Sequence, residues 1–567
     1  MTTESAQPSW RLWVALGLSL YGLSSLLSFY NVWPTPWVTT RHHLSIEVLA
    51  LVLAMAVLSA LGRPPAKRTL TLLAALLLVL TLGRYAEVTA PALYGRRINL
   101  YWDAPHIPGV AAMLIQAASG WQLLLAGAGL LGGLVALFLA IRWMLASTAH
   151  ALTHTLPRRL IMGASLILVL LFVAGRIDRD LGPRKWFSLP VTQTYVEQVR
   201  FIGEAMSADA QPDLSAPPLP ESSFDRIAGA DVLLVFMESY GVTTLDRPEY
   251  AEALEASRRR LAETVARTGR QVVSARVTSP TFGSGSWLAH MSLLSGIEVQ
   301  DSGRYKLLIT RDRETLVHRF ADAGYRVLGL MPGIRMAWPE GAFYGYDAIY
   351  DAKGLDYRGP EFGWWRIPDQ YALAVLDREE LSRRERDPVF VVFPTITSHA
   401  PFRPVAPYQP DWQTMLGPEP FGPDGAALAL RGKPEWLKLG VSYVEAVGYA
   451  LRVISGFLER RAQDDLVLII LGDHQPASSV SGPEASQDVP VHVVASRPGL
   501  MQALEAEGFT PGLAPEPPSI APMHALTPRL LRAFGEPPAP SAHSPVVSAA
   551  PGSPAPQANV AVRQAAD

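Results

Sequence analysis

The sequence predicts an α/β protein built in two parts: an amino-terminal five-helix transmembrane domain, then an α/β domain with a mostly parallel central sheet. Three observations predict it. Apolar runs crowd the first third of the chain and then stop, as in a membrane anchor followed by a water-facing domain. From Asp231 onward, unbroken β-branched runs alternate with helical stretches. Hydrophobic residues make up 49% and charged residues 18% of 567, where about 25% charged is usual in soluble domains.

The apolar runs place spans near 12–30, 44–61, 70–90, 121–145 and 160–175, each close to the roughly 20 residues that cross a bilayer core. The first run lacks a small-residue cleavage site and more spans follow it, which argues against a signal peptide. Arg63, Lys67 and Arg68 lie between the second and third spans, and Arg142, Arg158 and Arg159 flank the loop between the fourth and fifth. The positive-inside rule puts both loops in the cytoplasm, so everything after Gly175 is expected outside. Arg84, Arg96 and Arg97 fall on the other side, in a stretch with Tyr85, Tyr94, Tyr101, Trp102 and His106. That stretch reads as an interfacial aromatic loop, or as a lip for anionic headgroups.

Residues 1–175 are therefore expected to be the membrane domain and 176–224 a connector ending in prolines 212, 217, 218 and 220. The α/β domain is expected over 225–534. Its strands are DVLLVFM from Asp231, QVVSARV from Gln271, YRVLGL from Tyr325, PVFVVF from Pro388 and DLVLIIL from Asp465, with helices near 250–267, 314–323 and 436–461. Residues 535–567 are proline, alanine and serine with almost no large apolar side chain, a composition that cannot bury enough surface to fold.

Composition also excludes functions. Forty-nine basic residues against 51 acidic ones leave a net charge of −2 and no field to hold nucleic acid. The absence of cysteine removes thiolate metal sites, cysteine nucleophiles and disulfides, so any metal must sit on oxygen and imidazole.

In an open α/β sheet, reactive groups collect at the carboxyl ends of the strands. The first strand runs into Glu238, and the last long apolar strand expected, 466–471, delivers Gly472, Asp473 and His474. Adjacent Asp and His after a buried strand aim an oxygen and an imidazole at one divalent ion. Between them in sequence, SPTFGSGSWLAHMSLLSG places Ser286 just before a helical turn, where unpaired N–H groups favour an alkoxide and an incoming phosphate. A helix cap, a surface glutamate or a loop histidine would explain each alone. Their co-occurrence points to a hydroxyl activated through a metal.

MESYG at a strand end, a hydroxyl ten positions before the glycine of LSG, TSHAPF around His399, and LGDHQP after an apolar strand together resemble the sulfatase-fold branch of the alkaline phosphatase superfamily. Within it, the chain is most similar to lipoteichoic acid synthase and the phosphoglycerol transferases of periplasmic glucans. The resemblance implies a metal site of Glu238, Ser286, Asp473 and His474 for one divalent ion, manganese foremost, magnesium or zinc otherwise. It implies Ser286 as nucleophile, with Thr281 and Ser284 as lesser competitors, since the synthases carry threonine there. His399 would steady the transferred phosphate or protonate a leaving oxygen. Trp338 and Arg335, in PGIRMAWPEG, correspond to a region that binds glycerol phosphate, although the arginine falls at a different offset. His290 would lie beside the site, and Asp369 is a structural position.

The implied activity is transfer of phosphoglycerol from phosphatidylglycerol, an anionic phospholipid donor in the membrane, to a glycan or lipid acceptor outside a bacterial inner membrane. Phosphoethanolamine transfer is the near alternative, and those enzymes generally carry disulfides that this chain cannot form. A sulfatase-like hydrolase would need a proline-arginine context that is absent around Ser286.

Overall fold

A computed structural model of the protein describes residues 9–33, 35–94, 98–104, 107–108, 111, 115, 120–177, 186–206, 214, 216–336, 338–362, 367–431 and 438–536. Arg96, Arg97, His106, Pro212 and most of 535–567 lie outside the described residues.

The five expected spans are five apolar helices: α1 (Trp10–Ser28), α2 (Ile46–Ala60), α3 (Lys67–Tyr94), α4 (Gly120–Ala151) and α5 (Thr155–Ile177). Four are long and apolar enough to cross a bilayer. The exception is α2, with 15 residues, about 22 Å at 1.5 Å per residue, against a hydrocarbon core of about 30 Å. Its start is set by Ser45, whose hydroxyl accepts from the Val48 N–H, an N-cap that begins the helix at Ile46. α2 packs on α5, while α4 packs on both α1 and α3. Leu23, Leu27, Val52, Met55, Ile141 and Leu145 form the shared core.

Two expectations change here. The connector contains a 16-residue helix, α6 (Val191–Met206), docked on α3 by Tyr195 Oη to Val79 O at 2.8 Å and Thr194 Oγ1 to Glu87 Oε1 at 3.1 Å. Arg84 is 3% exposed and donates to Phe29 O and Glu87 Oε2. It is a paired internal cation rather than part of a headgroup lip.

The α/β part is organised on β1 (Asp231–Met237). In sequence there follow α7 (Pro248–Arg267), β2 (Gln271–Thr278), α8 (Ser286–Ser295), β3 (Arg326–Met331), β4 (Ala348–Asp351), α9 (Asp369–Leu376), β5 (Val389–Pro394), α10 (Leu439–Arg460), β6 (Leu466–Gly472) and β7 (Asp488–Ala495). Two short strands, β8 (Thr510–Pro511) and β9 (Ala521–Pro522), complete a nine-stranded sheet of order β8-β2-β7-β6-β1-β5-β3-β4, with β9 parallel to β2.

The centre of the sheet is parallel: β1 pairs with β5 and β6, and β3 with β4 and β5. Val232, Leu234 and Phe236 enter one core, and Leu233, Val235 and Met237 the other. Period-two alternation with both faces covered explains why β1 reads as a continuous apolar run. β6 was expected to be the last long strand, but β7 follows it and runs antiparallel to both β6 and β2. Pro490 and His492 interrupt its apolar pattern, which hides it from periodicity alone. α10 has the length and apolarity of a span, yet 72% of its most apolar window is buried, so it is a core helix of the α/β part.

Candidate metal centre and nucleophile

β1 and β6 are neighbours in register, Met237 opposite Gly472. The residues that follow them, Glu238 and Asp473, therefore emerge side by side at the carboxyl edge. The register is tight: a Cβ on Gly472 would lie 1.9 Å from the Tyr240 carbonyl oxygen, so only glycine lets the two turns approach this closely. Ser239 takes a left-handed φ of 55°, a conformation that costs a non-glycine residue free energy and turns the chain sharply after the glutamate.

α8 brings the third group. Ser286 is the first residue of this helix, and the left-handed Gly285 is its cap, which corrects the expectation that Ser286 precedes the helix. The loop before it is tied to the β6 end by Gly283 N–H donating to Gln475 O at 3.0 Å. As a result Ser286 Oγ lies 3.0 Å from Glu238 Oε2 and 3.2 Å from His474 Nε2. Thr281, the competing hydroxyl, is buried with its Oγ1 unpaired, and Ser284 lies half-buried in the same loop.

Glu238, Asp473 and His474 offer donor atoms within 4.8 Å of one another, all buried. His474 Nε2 is 3.6 Å from Glu238 Oε1 and 3.7 Å from Asp473 Oδ2. Asp473 Oδ1 accepts from the N–H groups of Ser239 and His474, both at 2.7 Å. Its Oδ2 is buried with no hydrogen-bond partner, which is costly unless a cation completes it. His474 Nδ1 faces the Gln475 carbonyl at 2.7 Å. A carbonyl only accepts, so Nδ1 carries the proton and Nε2 keeps the lone pair that a metal needs. The donor set of two carboxylates, one imidazole and one hydroxyl thus fits a hard or borderline divalent ion.

Electrostatics follow from burial. Asp473 is pushed up to about 6 by desolvation, and the Glu238 charge adds to it. For His474, burial opposes the charged form, but Asp473 and Glu238 outweigh it and raise its pKa. His290, one turn along α8 from Ser286, is held down to about 4 by burial. Its Nε2 is buried without a partner and its ring centroid is 4.3 Å from that of Phe236.

His399 follows β5. Its Nδ1 is 2.6 Å from Ala400 O, and its pKa is lowered by burial while it feels the charges of His474 and Asp473. Its loop is clamped by Asp369, 1% exposed, whose two oxygens accept from Ile396 N and Thr397 N at 2.8 and 3.1 Å. Arg335 is exposed in the loop after β3, and Trp338 is half-buried with its ring centroid 5.7 Å from that of Tyr344.

Several supporting residues escaped sequence reasoning. Thr395 Oγ1 accepts from Glu238 N, Ser398 Oγ donates to Glu238 O, Ser239 Oγ donates to Glu238 Oε1, and Tyr443 Oη donates to Ser239 O. The hydroxyls of ESYG and TITSH lie within the motifs themselves, so proximity to Glu238 and His399 was the available signal. Tyr443, near the start of α10, carried none.

No protein-family model and no curated protein matches the chain. Among solved structures it is similar to the integral membrane lipooligosaccharide phosphoethanolamine transferase A of Neisseria meningitidis, at 14% identity over 93% of this chain and 95% of that one, TM-score 0.44. It is similar to a lipoteichoic acid synthase of Listeria monocytogenes at 14% identity over 48% and 67%, TM-score 0.35. A Vibrio parahaemolyticus protein of the alkaline phosphatase superfamily shares 15% identity over 53% and 68%, TM-score 0.33. Likeness of this size assigns no activity to this chain.

Proposed function

We propose that this protein is a membrane-anchored, metal-dependent transferase that moves a phosphorus-containing headgroup from a phospholipid to an extracytoplasmic glycan or lipid acceptor through a covalent Ser286 intermediate. The donor we favour is phosphatidylglycerol, with transfer of phosphoglycerol across the outer face of a bacterial inner membrane. The observation that carries the proposal is the placement of Ser286 Oγ within hydrogen-bond reach of both Glu238 and His474, beside an Asp473 Oδ2 that has no hydrogen-bond partner.

Glu238, Asp473 and His474 would hold the ion, with Ser286 completing the set. When bound, a divalent cation lowers the pKa of an adjacent hydroxyl and offsets charge on a phosphate. The protein's own groups do the rest. Glu238 Oε2 accepts the Ser286 hydroxyl hydrogen and orients the oxygen for in-line attack. Ser286 Oγ bonds to phosphorus as the bond to the diacylglycerol oxygen breaks, and the proton that Ser286 gives up to Glu238 Oε2 passes through solvent to the departing oxygen. His399, neutral because burial lowers its pKa, carries its proton on Nδ1 toward Ala400 O and presents Nε2 to the phosphate region. In the second step an acceptor hydroxyl oxygen bonds to phosphorus as the Ser286 Oγ–P bond breaks, its proton passing to the His399 Nε2 lone pair while Ser286 Oγ regains a proton from solvent. Anchoring by α1–α5 keeps the site beside a bilayer-borne donor, a gain in effective concentration.

The test uses detergent-purified protein with manganese, supplied separately with labelled phosphatidylglycerol and phosphatidylethanolamine, and measures diacylglycerol release. Release from phosphatidylglycerol alone, lost in Ser286→Ala, is expected. Release from phosphatidylethanolamine alone reassigns the donor. No release from either lipid, with metal bound, overturns the lipid-donor reading in favour of a hydrolase.

A further inference from the structure

A cavity of about 240 Å³ lies among α1, α2 and α5, well away in the chain from Ser286. Its walls include Leu20, Val48, Val52 and Ala164, and its polar end is Tyr21, Ser24 and His42. The 42–45 segment that leads into the short α2 lines the cavity together with α1 and α5, and Ser45 meets α1 at Ser24, one turn before α1 ends at Ser28. Irregular backbone at such depth is tolerated where it lines a cavity or is covered by protein.

The segment is pinned by named contacts. His42 holds a left-handed φ of 56°, and its Nδ1 lies 3.2 Å from Tyr21 Oη. His43 Nδ1 is 2.8 Å from Tyr30 Oη, and the Ser45 N–H donates to Ser24 Oγ at 3.1 Å. The end is the one from which the chain leaves for the α/β part, because Leu44 pairs with Phe187 just after α5. Glu47, the nearest acid in sequence, is held by the cavity-lining Ser45 and by Thr192, accepting from the Ser45 hydroxyl at 2.8 Å and the Thr192 N–H at 3.2 Å. Arg41, beside His42 in the chain, is exposed with its guanidinium over Tyr30.

We propose that this cavity is a phospholipid-binding site that takes one acyl chain between α1, α2 and α5 and the phosphate at Arg41 and His42. The chemistry chooses the occupant. An apolar hollow ending in hydroxyl and imidazole groups, with the exposed Arg41 guanidinium next in the chain, matches an amphiphile lying along the bundle axis with an anionic head. Tyr21, His42 and Ala164, which line the hollow, are exposed on the outside of the bundle, so the hollow opens at the bundle surface along its length and at its polar end. An apolar cavity of about 150 Å³ holds a benzene ring, so this one has room for about ten carbons of a chain. The inference rests on the membrane-spanning reading of α1–α5, and not on the chemistry of Ser286.

The test uses the full chain extracted in mild detergent and quantifies co-purified phospholipid by native mass spectrometry, then its replacement by added phosphatidylglycerol with deuterated chains. Ser24→Leu and Ala164→Leu fill the hollow, and Leu131→Phe on the exposed face of α4 is the control. Wild type and control are expected to retain one phospholipid per chain, and the filled variants to bind it at least about tenfold more weakly. Equal retention in the filled variants, or none in wild type, overturns the proposal. Should a filled variant fail to give a monodisperse protein, a phosphatidylglycerol with a photoreactive acyl chain decides. Crosslinks to peptides of α1, α2 and α5 are expected, and crosslinks confined to α3 and α4 refute. Failure here leaves diacylglycerol release by the wild type intact, whereas failure of the transferase reading leaves lipid retention intact.

Discussion

His492, in the middle of β7, is 1% exposed and has both ring nitrogens engaged. Ser274 Oγ donates to the Gly512 carbonyl, which can only accept. The His492 Nδ1, 2.6 Å from Ser274 Oγ, must then be the donor. Nε2 is left to accept from Tyr240 Oη at 3.1 Å. Every hydrogen in this chain is used only while the imidazole is neutral, and burial, helped by Arg258, depresses its pKa to about 3. The unfolded imidazole titrates near 6.5. Below that value the unfolded state binds a proton that the folded state refuses, so stability falls as pH drops from 6.5 toward 3. At pH 5 the loss is about 1.5 pH units at 1.36 kcal/mol each, or about 2 kcal/mol. That figure holds however far below 5 the folded pKa lies.

The assay is denaturant unfolding of the detergent-solubilised chain at pH 8 and pH 5, followed by tryptophan fluorescence, in wild type and His492→Gln. Wild type should lose about 2 kcal/mol more than the variant between the two pH values, whatever other groups contribute to both. Equal pH dependence in the two proteins would refute the neutral, buried assignment.

Three further outcomes follow from the site. Chelation should lower the melting temperature and manganese or zinc restore it, by about 2.7 kcal/mol at a hundredfold excess over the dissociation constant; Asp473→Ala should show no response, and a retained response would remove Asp473 from the ligand set. Asp369→Ala leaves the half-buried Ile396 and Thr397 N–H groups without acceptors and should cost about 1–3 kcal/mol, with turnover falling as His399 is released; an unchanged melting temperature would contradict the clamp. Gly472→Ala forces β6 away from the Tyr240 turn and should cost about 1–3 kcal/mol or more, abolishing the stabilisation by metal.

What the sequence could reveal depended on whether a residue's role is local. β1, β5 and β6 are covered on both faces, so they read as unbroken apolar runs, and the residues just past β1 and β6, Glu238, Asp473 and His474, stood out by position. Ser286 was legible for the same reason, being next to a glycine-broken loop. β7 was not, because Pro490 and His492 break its pattern and His492 is tolerated only through Tyr240, in the turn after β1, and Ser274 in β2. The clamp by Asp369 and the support from Tyr443 likewise exist only once distant segments meet. α6 was lost inside a polar connector because its packing face is chosen by α3, through Tyr195 in the space left by Gly83.

The geometry carries one cost that function accounts for and folding does not. β1 and β6 end in register, which sets two carboxylates together in a buried site whose ion pairs, among the described residues, are with His474 alone. Glu238 helps raise Asp473 after burial itself, the mark of like charges held together. Without metal, the pair should therefore destabilise the fold that positions it. Glu238→Gln removes one charge, while its amide can still accept from one neighbouring hydroxyl, Ser239 or Ser286, and donate to the other. In chelator at pH 8 this variant should be more stable than wild type by about 1 kcal/mol, the value of a modest like-charge contact. With manganese the order should reverse, since only the wild type gains the ion. A variant less stable than wild type in chelator would mean that Glu238 serves the fold first, and would remove the electrostatic argument for a cation between these two strands.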